Sequence, residues 1–319
     1  MPLLEEFKAM GSFDHERVDP LLRPSQALVA LPHLRRMSLS QMRSYTASHL
    51  TKNLHTPSLS QLCIDLQYEG AFDLFEDLAA MLGPLISLAI TREHSSSQRS
   101  TIRAYADVCE LAKGSIESSA MSWMDTHAPV LEISGDFLLD SCTLLSAHDI
   151  SSLILENALP PQTTWSDIAR RIPSVTDLYI LNAEPINLPT MLSTSISEGD
   201  ESSAEGHAPG YVLPRLRTLT LEAARFPPMY PPSPRWGRSS RQAKAPVGFL
   251  DTLISCLAIR RQGGTAIEKL RVLHPNEMSQ MTIDKLSQVV PSTEWDGVSG
   301  ASALDALHRS YDSDHQNLS

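Results

Sequence analysis

One pattern recurs along this chain: a proline, then apolar-x-x-apolar-x-apolar. It reads as Pro32…Leu34-x-x-Met37-x-Leu39, Pro57…Leu59-x-x-Leu62-x-Ile64, Pro84-Leu85-x-x-Leu88-x-Ile90, Pro173…Val175-x-x-Leu178-x-Ile180 and Pro214…Leu216-x-x-Leu219-x-Leu221. Weaker copies are Ala128-x-x-Leu131-x-Ile133, Ile150-x-x-Leu153-x-Leu155, Ile267-x-x-Leu270-x-Val272 and, at the start, Pro2…Leu4-x-x-Phe7-x-Ala9. The central apolar residues fall at 7, 37, 62, 88, 131, 153, 178, 219 and 270, so successive spacings are 30, 25, 26, 43, 22, 25, 41 and 51. The last two apolar positions of each copy are two apart, which puts both on one face of a strand. A strand this short cannot bury that face alone, so the copies must share a core.

Helix-period segments lie between the strand signals. Phe72, Phe75, Leu78 and Leu82 share a face over 71–82, and Trp165, Ile168 and Ile172 share one over 165–172. Phe249, Leu250, Leu253, Ile254 and Leu257 make a broad apolar face over 249–259, and the spacing of Ile102, Tyr105, Val108 and Ala112 predicts a helix over 101–112. The proline ahead of most strands stops the preceding helix and sets an extended entry into the strand. The unit is therefore strand, turn, helix, proline.

Alternating strands and helices fit a doubly wound α/β sheet as well as a solenoid. Three points favour the solenoid. The apolar-x-x-apolar-x-apolar spacing is more specific than a generic buried strand. The commonest spacing sits in the leucine-rich-repeat window of roughly 20–29 residues. No Gly-rich strand-to-helix turn of the nucleotide-binding type is present. The expected fold is an open α/β leucine-rich-repeat solenoid with irregular repeats, parallel strands on a concave face and helices on a convex face. It would span 1–290, with a helix over 276–290 carrying Met281, Leu286 and Val289 and a polar tail over 291–319.

The runs LPHLRRMSL, TPSLSQLCIDL, IPSVTDLYIL and LPRLRTLTLEAA resemble the leucine-rich-repeat region of fungal F-box proteins, of the ribonuclease-inhibitor-like class, over about residues 1–275. The resemblance implies a substrate receptor: the repeats recruit a protein for ubiquitination, and an F-box docks on the adaptor of a cullin–RING ligase. Two departures stand out. The chain opens inside an apparent copy at Pro2, with no leucine-proline-x-glutamate signature ahead of it. The family's Asn or Cys after the strand is matched by Asn157 and Asn182, whereas other copies carry Gly135 or Ala223, so a full asparagine ladder is not expected.

In such a solenoid the residues between the apolar positions face the concave side. One column reads Ser38, Cys63, Ala89, Glu132, Ile154, Tyr179, Thr220 and Arg271. The next reads Ser40, Asp65, Thr91, Ser134, Glu156 and Glu222, interrupted by Leu181 and Leu273. Asp65, Glu132, Glu156 and Glu222 bias this surface acidic. It suits a basic or mixed protein segment anchored on Tyr179, with Arg271 at the far end; the alternative is a solvated strand surface without a ligand.

Two insertions break the repeats. Residues 191–212 hold Glu198, Asp200, Glu201 and Glu205 and no Lys or Arg, an acidic loop by composition. Residues 225–246 are proline-rich and basic. Pro228, Pro231, Pro234 and Arg235 would serve a proline-reading domain, or form a tolerated surface insertion.

Charge and cysteine usage narrow the function classes. Lys and Arg number 26 against 37 Asp and Glu, a formal charge of -11, which disfavours nucleic acid and anionic membrane as partners. Cys63, Cys109, Cys142 and Cys256 form no C-x-x-C pair, and the N-terminus has no basic, apolar leader; both suit an intracellular chain, cytoplasmic or nuclear. No G-x-S-x-G, H-E-x-x-H or Walker motif is present, and Gly263-Gly264-Thr265 reads as a helix cap and turn. Asp312-x-Asp314-His315 is a weak metal pattern in a polar tail. The expectation is a non-enzymatic protein-interaction module with a protein partner and no cofactor, metal or catalytic residue. An enzyme on an irregular α/β fold and a truncated gene product stay open as alternatives.

Overall fold

The computed structural model describes residues 4–11, 28–66, 78, 82, 84–92, 99–109, 119–136, 149–157, 159, 165, 168, 170–196, 210–226, 248–275 and 278–297. In chain order the first elements are β1 (Glu6–Met10), β2 (Val29–Ala30), β3 (Arg36–Met42), α1 (Ser44–Lys52), β4 (Leu54–His55), β5 (Gln61–Leu66), β6 (Ser87–Arg92) and β7 (Arg99–Tyr105). There follow α2 (Ala120–Thr126), β8 (Leu131–Asp136), β9 (Ser152–Glu156), β10 (Asp177–Leu181), α3 (Leu188–Ser193), β11 (Ser195–Ile196) and β12 (Gly210–Tyr211). The last are β13 (Thr218–Glu222), α4 (Phe249–Gln262), β14 (Lys269–Leu273), α5 (Gln280–Ser287) and β15 (Ser292–Trp295).

The molecule is a mixed α/β fold dominated by one eleven-stranded sheet, in the order β1-β3-β5-β8-β7-β6-β9-β10-β13-β14-β15. Every neighbouring pair is parallel except the two that involve β7. The central apolar residues of all nine sequence copies lie on one row across this sheet: Phe7, Met37, Leu62, Leu131, then Ala104 of β7, then Leu88, Leu153, Leu178, Leu219 and Leu270. From Met37 onward their side chains are almost wholly buried in one continuous core. Helices complete that core on the same face. Leu253, Cys256 and Leu257 of α4, Ile283 and Leu286 of α5, and Trp165, Ile168 and Ile172 all join it.

Two expectations about the elements are corrected. Residues 99–105 are a strand, not part of a helix over 101–112. The sequence RSTIRAY alternates, with Ser100, Ile102 and Ala104 buried against half-exposed Arg99, Thr101 and Arg103, and that period of two outweighs the looser helical spacing of Ile102 and Tyr105. The copies also do not stack in chain order. The strand after β5 in the sheet is β8, and β6 comes two places later, so β6, β7 and β8 enter in reverse.

The C-terminal boundary moves as well. The terminal helix is shorter than 276–290, running Gln280–Ser287 with Ser279 capping it through the Thr282 N–H, and Met281 points outward. Residues 292–295, read as the start of a tail, pair with β14 as the last strand. Residues 298–319, with the Asp312, Asp314 and His315 pattern, lie outside the described residues.

Strand exits share a device. Asn157, Asn182, Ala223 and His274 directly follow β9, β10, β13 and β14, and all four have φ between 48 and 63. Three of their N–H groups continue the ladder, Asn157 donating to Leu181 O, Asn182 to Glu222 O and Ala223 to Leu273 O, while the His274 N–H donates to the Asp296 carboxylate. Left-handed backbone costs a residue with a Cβ roughly 1–2 kcal/mol, least for Asn. Asn157 adds a side-chain bond to Arg92 O at 3.0 Å, along the stack, while Asn182 turns to the Met121 sulfur at 3.3 Å. Gly263 ends α4 where a Cβ would lie 2.6 Å from the Tyr211 ring, and Gly264 follows at φ 76.

Candidate functional site

The sheet face opposite the helices carries the residues singled out as a binding surface. They form two rows. One runs Lys8, Ser38, Cys63, Glu132, Arg103, Ala89, Ile154, Tyr179, Thr220, Arg271 and Glu294 across all eleven strands. The next holds Asp65, Ser134, Thr101, Thr91, Glu156, Leu181, Glu222 and Leu273.

Half of this face is not open. The connection from β7 to β8 carries α2 back across it, and a second core forms there from Ala89, Tyr105, Cys109, Ala120, Trp123, Met124, Ile154, Tyr179 and Leu181. Tyr179 is therefore no exposed anchor: its hydroxyl donates to Cys109 O at 2.8 Å beneath the connection, and burial pushes its phenol well above the usual range. Burial likewise raises the Cys109 thiol to about 12. Trp123 is wedged between the Tyr105 edge and the stacked His127 ring, with centroids 4.7 and 4.6 Å away.

Glu222 is a second correction. It is 3% exposed, and its Oε2 accepts the Ala120 N–H at 3.0 Å, closing the first turn of α2. Burial raises its carboxyl, opposed by the Ser119 hydroxyl, the Ala120 N–H, His274 and Arg271. Glu156 is raised for the same first reason, with the Thr91 hydroxyl and Arg103 opposing. Arg271 is buried against Glu294 at 2.9 Å, and Lys269 holds the same carboxylate at 2.7 Å.

Asp65 and Glu132 remain accessible, on β5 and β8. Each is already matched: Arg99 Nη2 lies 2.7 Å from Asp65, and Arg103 Nε lies 3.0 Å from Glu132. The acidic bias read from the sequence is cancelled by two arginines on β7, the strand that reads more readily as a helix. The open patch is thus a mixed lattice of Ser38, Cys63, Asp65, Glu132, Arg103 and Ser134, all half-buried, with Thr101 and Ser134 hydroxyls 3.1 Å apart. Burial and then Glu132 push the Cys63 thiol up, which makes it a poor nucleophile.

A signal for the covered half was present in the sequence. Strands buried on both faces read as continuous apolar runs. Ile154, Tyr179 and Leu181 fill in-between positions that hold Ser38, Ser40, Cys63 and Asp65 in the open strands.

Elsewhere, an open groove of about 490 Å³ lies between α4 and the end of α5, lined by Ala258, Arg261, Gln262, Gln288 and Val289. It brings together no nucleophile and base. Among the described residues no group of three His, Cys, Asp or Glu side chains is placed to hold a metal ion, and no helix is long and apolar enough to cross a membrane. The acidic insertion is pinned at its base, where β11 pairs antiparallel with β12. Its residues 197–209 lie outside the described residues, as do Pro228, Pro231, Pro234 and Arg235 of the basic loop. No protein-family model matches the chain, and a search of curated proteins finds no match.

Proposed function

We propose that this chain is a non-enzymatic protein-interaction module of the leucine-rich-repeat type, serving substrate recognition in an F-box-type ubiquitin ligase. The ligand is a protein segment of mixed charge that crosses β3, β5, β8 and β7. The observation that carries this reading is the half-buried lattice of Asp65–Arg99 and Glu132–Arg103 pairs beside Ser38, Cys63 and Ser134. Ion pairs at this exposure contribute little to stability, about 0–1 kcal/mol each. A ligand carrying both charges can exchange partners with them at small cost and gain register from their spacing. The in-register row of nine apolar copies supports the repeat-type reading, and the resemblance supplies the ligase context.

The test is affinity capture from native extract with the wild-type chain and with Glu132→Lys, quantified by mass spectrometry. Ligase adaptor and cullin subunits are expected with both. A substrate on this face is expected to fall at least about tenfold with the variant, since reversing one interfacial charge costs roughly 1.4 kcal/mol or more. Capture without ligase subunits removes the ligase context. Capture identical for the two chains removes the face.

A further inference from the structure

The two ends of the large sheet are built differently. At one end β15 is four residues long, preceded by Pro291, and its Glu294 is held by Lys269 and Arg271. Shortness, proline and inward-turned charge are the devices that blunt an edge. At the other end β1 is five residues long, no proline directly precedes it, and its charges, Glu6 and Lys8, stay exposed to solvent rather than turned inward. Among the described residues nothing pairs with its outer side. Phe7 and Ala9, which belong to the core rows, are only partly buried there, whereas Met37 and Leu39 beside them are 1% and 0% exposed.

The hydrogen-bonding pattern of that edge is set by β3. Glu5 O accepts the Arg35 and Arg36 N–H groups, and the Gly11 N–H donates to Ser40 O. In a parallel pair alternate residues face the neighbouring strand, so the odd-numbered residues of β1 spend their groups on β3. The N–H and C=O groups of Glu6 and Lys8 point outward. An added antiparallel strand must place these two residues in hydrogen-bonded positions.

We propose that this edge pairs with itself: two copies of the chain join their sheets through β1, antiparallel, in a register centred on Phe7. The charges select the register. Centring on Glu6 sets Glu6 opposite Glu6 of the other copy, and centring on Lys8 sets Lys8 opposite Lys8. Like charges directly opposed destabilise a strand pair. Centring on Phe7 sets Glu6 opposite Lys8 twice, once on each side of the two-fold axis, and in each such pair both residues exchange main-chain hydrogen bonds. It also brings the two Phe7 rings together on the core face, covering the side chains that the single chain leaves half open. Glu6 and Lys8 are bonded to each other at 2.9 Å in the single chain and stay mostly exposed, so both are available to exchange partners. A two-fold contact of this kind is closed and stops at a dimer.

Sedimentation equilibrium of the full chain over a concentration series tests this. The wild type is expected to show a reversible monomer–dimer equilibrium. Lys8→Glu and Glu6→Lys alone each create two like-charge pairs and are expected to raise the dissociation constant about tenfold or more. The double exchange Glu6→Lys with Lys8→Glu restores opposite charges and is expected to return it to near the wild-type value. Far-UV circular dichroism that superimposes on the wild type shows that the variants are folded. Independently, the Glu6 and Lys8 amides are expected to gain hydrogen-exchange protection as wild-type concentration rises. A wild type that stays monomeric, single variants that dimerise as well as wild type, a double exchange as weak as the singles, or amide protection at 6 and 8 that ignores concentration each overturns the proposal.

Discussion

Arg260 has no exposed surface, yet what surrounds its charge is main chain. Its guanidinium donates to Leu192 O at 3.0 Å, Val212 O at 2.9 Å, Leu213 O at 2.8 Å and Thr265 O at 3.3 Å, with its carbon 5.5 Å from the Tyr211 ring centre. It ties the end of α4 to the end of α3 and to the turn after β12. Burial lowers its pKa without giving it a carboxylate among these partners. Arg260→Met removes the donors and leaves buried carbonyls unpaired, each costing about 1–3 kcal/mol. The expected loss is about 3 kcal/mol or more in chemical denaturation, with Arg260→Lys in between. A loss within about 0.5 kcal/mol, the range of ordinary surface changes, contradicts the clamp. The sequence shows Arg260 and Arg261 as two equal cations at a helix end. Position decides between them, because 260 is seven, four and three residues beyond Leu253, Cys256 and Leu257, on the buried stripe. Arg261 falls off that stripe and is exposed.

At the scale of elements, α2 is the piece that sequence periodicity does not deliver. It has seven residues, too few for a stable helix alone, and is held by what lies beneath: Ile154, Tyr179 and Leu181 under Trp123 and Met124, with Glu222 at its first turn. Glu222 makes this contact pH-dependent. Its folded-state pKa is raised above 4.5, so the contribution to stability is fully present below the unfolded value and is lost as pH rises through the folded one. At neutral pH the buried carboxylate is thus a burden relative to a neutral group of the same shape. Glu222→Gln keeps a carbonyl oxygen for the Ala120 N–H and removes the charge. The variant is expected to melt higher than wild type at neutral pH, with the gap closing as pH falls toward 4.5, the ordinary glutamate value. Paired melting curves across that range check it, and a gap that widens on acidification has the wrong sign.

For the whole molecule, nine of the eleven strands of the large sheet were legible in the sequence, whereas β7, β15 and the strand order were not. All nine central apolar residues, from Phe7 to Leu270, land on one row because a period of two plus a shared core leaves each strand a single register. Order depends instead on where connections cross, and nothing in the residues around Leu88 or Leu131 says that β8 will slip beside β5 while β7 runs antiparallel between β8 and β6. This order bears on unfolding. In a stack ordered along the chain each unit contacts only its neighbours, and ends can peel while the middle persists. Here, leaving the chain order at β5 means that β8, which comes later, joins β5 to β7. Loss of β8 parts the first three sheet strands from the rest. The same β7–β8 connection carries α2 over β9 and β10, and one apolar core runs from Leu34 to Val290. Peeling from either end therefore meets a block of β6, β7, β8 and α2 that must go together. Thermal unfolding is expected as one transition in which far-UV circular dichroism and tryptophan fluorescence coincide. Fluorescence reports both faces, since Trp165 sits in the large core and Trp123 under the opposite one. A separate, earlier fluorescence transition would mean that α2 leaves the sheet on its own, and that the outer face opens before the strands part.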